Sequence, residues 1–165
     1  LIAYPECKIV TIGDVRRLML AEPWKSEPRI VRKAGQWSIR QTLAFAQVCD
    51  VVVGPETGVL SGVSMEAMPK IVFLSHSSHE NLTRDWVNTY ALASTKTSCY
   101  PCHRMHYTWE HCRRNEERGQ YWEGTAQCQV DLLPEQCWDA LGKALSDANL
   151  STPIPIRKHM EVAHA

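Results

Sequence analysis

The sequence predicts an α/β fold: a doubly wound parallel sheet carrying a Cys-rich irregular insertion. Three observations predict it. Two short runs, Asp50-Val51-Val52-Val53-Gly54 and Lys70-Ile71-Val72-Phe73-Leu74, are apolar at successive positions, as strands covered on both faces of a parallel sheet are. Segments of helical spacing alternate with such runs across residues 8–93, the order of right-handed βαβ units. After Thr95 the pattern stops. Residues 97–129 hold four cysteines, three histidines and two tryptophans with little periodicity, and so long a loop in a compact domain is usually functional or stapled.

The elements follow in order. Lys8-Ile9-Val10-Thr11-Ile12-Gly13 is β-branched, ends in glycine and reads as a buried strand. Asp14 stands where an N-cap would open a short helix over 15–21. Two prolines make 22–28 a loop, and Arg29-Ile30-Val31 is a short strand that ends near Gly35. Ser38 and Gln41 have the spacing of a capping box, so a helix runs from there to about Val48, with Ile39, Leu43 and Ala46 on one face. A helix of small residues is expected over 57–67. A short helix over 79–86 is opened by Ser77 or Ser78, and a last strand covers 89–93. Residues 134–148 form a closing amphipathic helix with Cys137, Leu141 and Leu145 on its stripe. The expected organisation is a core over 1–96, a Cys/His-rich insertion of the same domain over 97–130, a closing helix within 131–150 and a tail over 151–165.

Composition removes several function classes. Among 165 residues, 18 Lys plus Arg balance 18 Asp plus Glu. The basic excess that displaces counterions from a nucleic acid is missing, so no nucleic-acid partner is expected. No apolar run approaches the roughly 20 residues of a membrane span, and no basic-then-apolar leader opens the chain. The expectation is a protein without a transmembrane segment, located in the cytoplasm. A first residue of Leu1 rather than Met suggests a piece of a longer chain.

The turn Gly54-Pro55-Glu56-Thr57-Gly58 joins a buried strand to a helix. Ligands of open α/β sheets bind at the carboxyl ends of the strands. A helix starting at Thr57 aims unpaired N–H groups at that edge, Thr57 adds a hydroxyl, and Gly58 has no Cβ to hold a ligand off. Those are the parts of a phosphate cradle; they are equally the parts of a plain strand-to-helix turn. His76 and His79 follow the next strand at the same edge, where they read either as donors to phosphate or sugar hydroxyls or as exposed loop residues.

The seven cysteines divide into scattered Cys7, Cys49 and Cys137 and a group of Cys99, Cys102, Cys112 and Cys128. Cys99 and Cys102 have the spacing of a zinc knuckle, and His103, His106 and His111 are potential substitutes for the wider pair. Three readings stay open: a structural zinc on Cys99, Cys102, Cys112 and Cys128, two disulfides, or reduced thiols packed against Trp109 and Trp122. Four protein ligands leave no open coordination position, so a metal there would be structural and not catalytic. The aromatic residues Tyr100, Tyr107, Trp109, Tyr121 and Trp122 read as a small satellite core or as stacking surfaces for sugar rings and bases.

An ordered series of segments resembles the C-terminal half of bacterial heptosyltransferases, which are GT-B glycosyltransferases of the ADP-heptose:lipopolysaccharide heptosyltransferase kind. It comprises Ala34-Gly35, Ser38-Ile39-Arg40-Gln41-Thr42-Leu43, Cys49-Asp50-Val51-Val52-Val53-Gly54, Glu56-Thr57-Gly58 and Pro69-Lys70-Ile71-Val72-Phe73-Leu74. The resemblance extends over about residues 8–145. It implies a Rossmann-like donor-binding domain that takes a nucleotide sugar such as ADP-heptose, with the diphosphate on Thr57 and Gly58. It further implies Glu56 on donor-sugar hydroxyls or orienting the loop, and Gly13 and Asp14 near the nucleoside. It implies transfer to a saccharide acceptor without a catalytic cofactor, and the sequence has no Asp-x-Asp metal clamp. The catalytic base and acceptor site of such enzymes belong to an N-terminal partner domain that is not in this chain. Two positions depart from the pattern: Ser61 stands where many members carry His, and Ser75-His76-Ser77-Ser78-His79 replaces a Gly-Pro-Thr run. Two alternative classes remain, a non-catalytic nucleotide- or sugar-binding module and a zinc-stabilised interaction domain.

Overall fold

A computed structural model describes residues 4–103, 112 and 126–147. Within them, residues 4–45 form one compact unit and 46–147 another.

The first unit carries a two-stranded parallel sheet. Strand β1 (Ile9–Thr11) lies beside β2 (Ile30–Arg32), with Val10 opposite Val31. Two short 3-10 helices, Val15–Leu20 and Glu22–Trp24, connect them. The expected burial of the first strand is not reached: Ile9 is exposed and Val10 half-buried, because a sheet of two strands cannot cover both faces. Gly35 closes the β2 turn at φ +74, its N–H donating to Gly13 O at 2.8 Å. A Cβ there would stand 2.9 Å from Val15 Cα, so both the backbone angle and the space require glycine.

Helix α1 (Ile39–Ala46) opens on the expected capping box. Gln41 N–H donates to Ser38 Oγ at 3.3 Å, and Gln41 Oε1 accepts from Ser38 N at 2.9 Å. Its buried face matches the expected one only in part. Thr42 and Ala46 are buried, while Ile39 is exposed.

The second unit is built on a three-stranded parallel sheet in the order β3 (Val52–Pro55), β4 (Lys70–Phe73), β5 (Thr89–Leu92). Val53 faces Ile71, which faces Tyr90. Central β4 buries Lys70, Ile71 and Val72 in succession, the continuous run that a covered parallel strand needs. Strand β3 is an edge of this sheet, and Val53 is 52% exposed, against the expectation of full cover. After β3 comes α2 (Gly58–Gly62), much shorter than the helix expected over 57–67. Two glycines, two serines and β-branched Val59 and Val63 sum to poor helix propensity. The chain tightens at Val63, whose N–H bonds to both Val59 O and Leu60 O. The next helix is a single π-helical turn, His79–Thr83, capped by Ser78, whose Oγ accepts from Asn81 N–H at 3.3 Å.

A four-residue helix, α3 (Gln127–Val130), leads into the closing helix α4 (Pro134–Asp147). Helix α4 packs on β4 and β5 around Ile71, Ala140 and Ala144, with Phe73, Tyr90, Leu92 and Leu141 alongside. The centre of its buried stripe is thus Ala140 and Ala144, and Cys137, Leu141 and Leu145 flank it half-buried. Alanines there let the helix axis approach the sheet closely. Burying a residue such as Ile71 contributes about 2 kcal/mol. Between α4 and the sheet an apolar groove of about 410 Å³ is lined by Val53, Phe73, Trp138 and their neighbours. Among the described residues no charged side chain lines it. Among the described residues no helix is long and apolar enough to cross a membrane.

Candidate functional site at the ends of β3 and β4

One group of polar residues in the second unit lies where β3 and β4 end. Glu56 follows β3 directly, and its side chain is only 6% exposed. A buried carboxylate needs donors, and the loop after β4 supplies them. Glu56 Oε1 accepts from three successive backbone amides: Ser75, His76 at 3.1 Å and Ser77 at 3.2 Å. Oε2 lies 2.8 Å from His76 Nδ1. The His76 side chain is 32% exposed, and Nδ1 is also 3.3 Å from Ser75 Oγ. Glu56 is thus bound to the loop that follows β4.

The carbonyls of the same loop are satisfied from the other side. Leu74 O accepts from Gln129 Nε2 at 2.9 Å, and Ser75 O from Cys128 Sγ at 3.5 Å. His76 O accepts from His103 N–H at 2.8 Å, and Ser77 O from the Tyr100 hydroxyl at 3.0 Å. A loop leaving a sheet edge has no ladder to complete its backbone pairing, so these groups replace one. Tyr100 therefore acts through its hydroxyl on this loop, and burial pushes its pKa up. His79 turns to its own helix, with Nδ1 2.8 Å from Thr83 Oγ1. Asn81 Nδ2 lies 3.2 Å from His103 Nδ1.

Beside this packed loop the Thr57–Gly58 turn is open. Thr57 is the N-cap residue of α2 with extended backbone (φ −136, ψ 156), and its side chain makes no capping hydrogen bond. Gly58 is exposed, and a Cβ on it would meet nothing within 4 Å. The amides of Gly58, Val59 and Leu60 precede the first internal bond, Ser61 N to Thr57 O at 3.0 Å. A helix of five residues has little macrodipole, so what it presents is individual N–H groups and one hydroxyl.

Other expected site residues fall elsewhere. Gly13 (φ 115) and Asp14 follow β1 in the first unit, both exposed. Cys99 and Cys102 are exposed, Cys112 is half-buried and Cys128 is buried; all seven cysteines carry free thiols. The Cys128 thiol is pushed up to about 11, first by burial and then by the neighbouring Cys112, Cys102 and Cys99. Among the described residues no three His, Cys, Asp or Glu side chains are set to hold a metal ion. His106, His111, Tyr107, Trp109, Tyr121 and Trp122 lie outside the described residues.

Sequence reasoning missed Asp131 and Lys70. Asp131 accepts from Ser94 Oγ at 2.7 Å, Gln127 Nε2 at 2.9 Å and the Thr97 hydroxyl, and these bonds hold its pKa at about 2. No local spacing announces it, since its partners come from two separate stretches. Lys70 is fully buried at the opposite end of β4, and its Nζ donates to Glu66 O at 2.7 Å and Met68 O at 2.9 Å; burial lowers its pKa. A lysine opening an otherwise apolar strand was the available signal.

No protein-family model and no curated protein matches this sequence. Two solved structures match its fold. One is a glycosyl transferase family 9 protein from Veillonella parvula, with TM-score 0.60 and 13% identity over 85% of this chain and 37% of that one. The other is ADP-heptose lps heptosyltransferase II from E. coli, with TM-score 0.62 and 12% identity over 86% of this chain and 37% of that one. The chain shares the fold of these two structures. The parallel sheets and their helices are those of a Rossmann-like half of a GT-B fold, as the resemblance implied. This chain spans little more than a third of the length of either structure.

Proposed function

We propose that this chain is the nucleotide-sugar-binding half of a glycosyltransferase. The observation that carries the reading is the fold it shares with two glycosyltransferase structures. The strand ends give the reading a location. Glu56 is committed to the 75–77 amides, so the diphosphate is assigned to the open turn: the Thr57 hydroxyl and the N–H groups of Gly58, Val59 and Leu60. His76, oriented by Glu56 and partly exposed, is assigned to a donor-sugar or phosphate oxygen.

Transfer from a nucleotide sugar builds negative charge on the departing diphosphate. Preorganised N–H donors stabilise that charge with no reorganisation during the reaction. The acceptor hydroxyl needs a general base, and the reading assigns that base and the saccharide acceptor site to a partner domain. The donor class tested first is an ADP-sugar, with UDP- and GDP-sugars as comparisons.

Thermal melting with ADP, UDP, GDP and their sugars tests the proposal. A ligand at 100 times its Kd adds about 2.7 kcal/mol of stability. A rise in melting temperature with one nucleotide class, absent in Thr57→Val, is the expected result. A melting temperature unmoved by every nucleotide and nucleotide sugar overturns it.

A further inference from the structure

Glu56 and His76 form a pair whose charge balance a bound donor upsets. The Glu56 side chain is only 6% exposed, and its Oε2 lies 2.8 Å from His76 Nδ1. The His76 side chain is 32% exposed, so the ring stands between a buried carboxylate and solvent. The loop that carries it is pinned on both sides. Glu56 Oε1 takes the amides of Ser75, His76 and Ser77, and the carbonyls of the same three residues accept from Cys128, His103 and Tyr100. A backbone so fixed holds the side chain it carries in place. Glu56 is joined directly to Thr57, where the donor-binding reading puts a diphosphate. Two anions then stand side by side with one of them shielded from water, and like charges so placed repel strongly.

We propose that His76 takes up a proton from solvent when the donor diphosphate binds and meets it as an imidazolium. A carboxylate 2.8 Å from Nδ1 favours hydrogen on that nitrogen, so the added proton sits on Nε2 and is donated toward a phosphate oxygen. The cation then lies between two anions, each of which favours it. The other titratable groups around the ring do not supply this charge. Burial pushes the Tyr100 hydroxyl up and the Cys128 thiol to about 11, so both are neutral at neutral pH. Glu80, held below the usual carboxylate range by a backbone hydrogen bond and by Ser78, adds negative charge. The His79 ring bonds to Thr83 Oγ1, and His103 reaches the loop through its backbone N–H with its ring beside Asn81. Proton uptake makes binding pH-linked: donor affinity rises as pH falls, by up to about tenfold per pH unit for one proton. The inference rests on the donor-binding reading, and its test separates the two.

The experiment is calorimetric titration of an ADP-sugar into the chain, in buffers of low and high ionisation enthalpy at one pH. A nucleotide sugar has no phosphate oxygen that titrates near neutrality, so the protons counted belong to the protein. The expected result is net uptake of at most one proton per donor, with affinity rising from about pH 8 to about pH 6. His76→Gln abolishes the uptake and the pH dependence and lowers affinity about tenfold at about pH 6. His79→Gln and His103→Asn keep both. The buffer comparison on the wild-type chain decides the matter even if His76→Gln fails to fold. Binding without proton uptake, or uptake that persists in folded His76→Gln, overturns this inference and leaves the donor reading standing. No binding of any nucleotide sugar overturns that reading and this inference with it.

Discussion

Glu56 holds His76 at two points: Oε1 accepts its backbone amide at 3.1 Å, and Oε2 lies 2.8 Å from its ring Nδ1. One carboxylate thus sets both the path of the loop after β4 and the orientation of the imidazole it carries. Removing it strands three amides. Hydrogen bonds to a charged group contribute about 1.5–3 kcal/mol each and do not add fully. Glu56→Ala is expected to lower unfolding stability by about 3 kcal/mol. Glu56→Gln, which keeps one oxygen for the amides, should lose about 1 kcal/mol. Urea unfolding measures both, and a loss below about 0.5 kcal/mol for the alanine variant would show that the loop does not depend on Glu56.

Gly58 separates folding from binding. Its added Cβ would meet no atom within 4 Å, and glycine is a poor helix former. Gly58→Ala should hold or raise stability by about 0.5 kcal/mol. The same methyl stands where a diphosphate would approach the α2 amides, so nucleotide-sugar affinity should fall tenfold or more, about 1.4 kcal/mol. Paired calorimetry and unfolding curves test this, and unchanged affinity moves the diphosphate to another turn.

Asp131 gives the second unit an acid limit. Hydrogen bonds from Thr97, Gln127 and Ser94 hold its pKa at about 2, below the usual 3.8. The ionised carboxylate favours the folded state above the unfolded value, and that contribution is lost as pH falls from near 4 toward 2. Asp131→Asn should flatten stability across this window and leave its slope near neutrality unchanged. Unfolding midpoints measured in steps from pH 6 to pH 2 check it; an unaltered acid slope would remove Asp131 from the account.

Gly35 tests the first unit. With φ +74 and Val15 Cα 2.9 Å from any added Cβ, Gly35→Ala meets both backbone strain and a clash with main chain. A loss of about 2 kcal/mol is expected. Gly142→Ala is the control: its Cβ meets nothing within 4 Å and it sits inside α4, so it should gain up to about 1 kcal/mol. Equal effects at the two positions would contradict the geometry.

Local chemistry alone determined much of this protein. The five strands, the Ser38–Gln41 capping box and the closing helix over 134–147 follow from β-branched runs, cap spacing and helical period, which act between residues close in the chain. The placement of the Glu56 turn directly after β3 follows in the same way. Tertiary structure decided what the side chains there do. Glu56 turns inward because three amides of a loop nineteen to twenty-one residues later need an acceptor. Ala140 and Ala144, not the larger residues beside them, face the sheet because only small side chains let α4 close on it. Asp131 binds Ser94 and Thr97 from more than thirty residues away. Such pairings depend on which buried polar groups lack partners once the strands have packed, and that is a property of the assembled chain and not of any stretch of it.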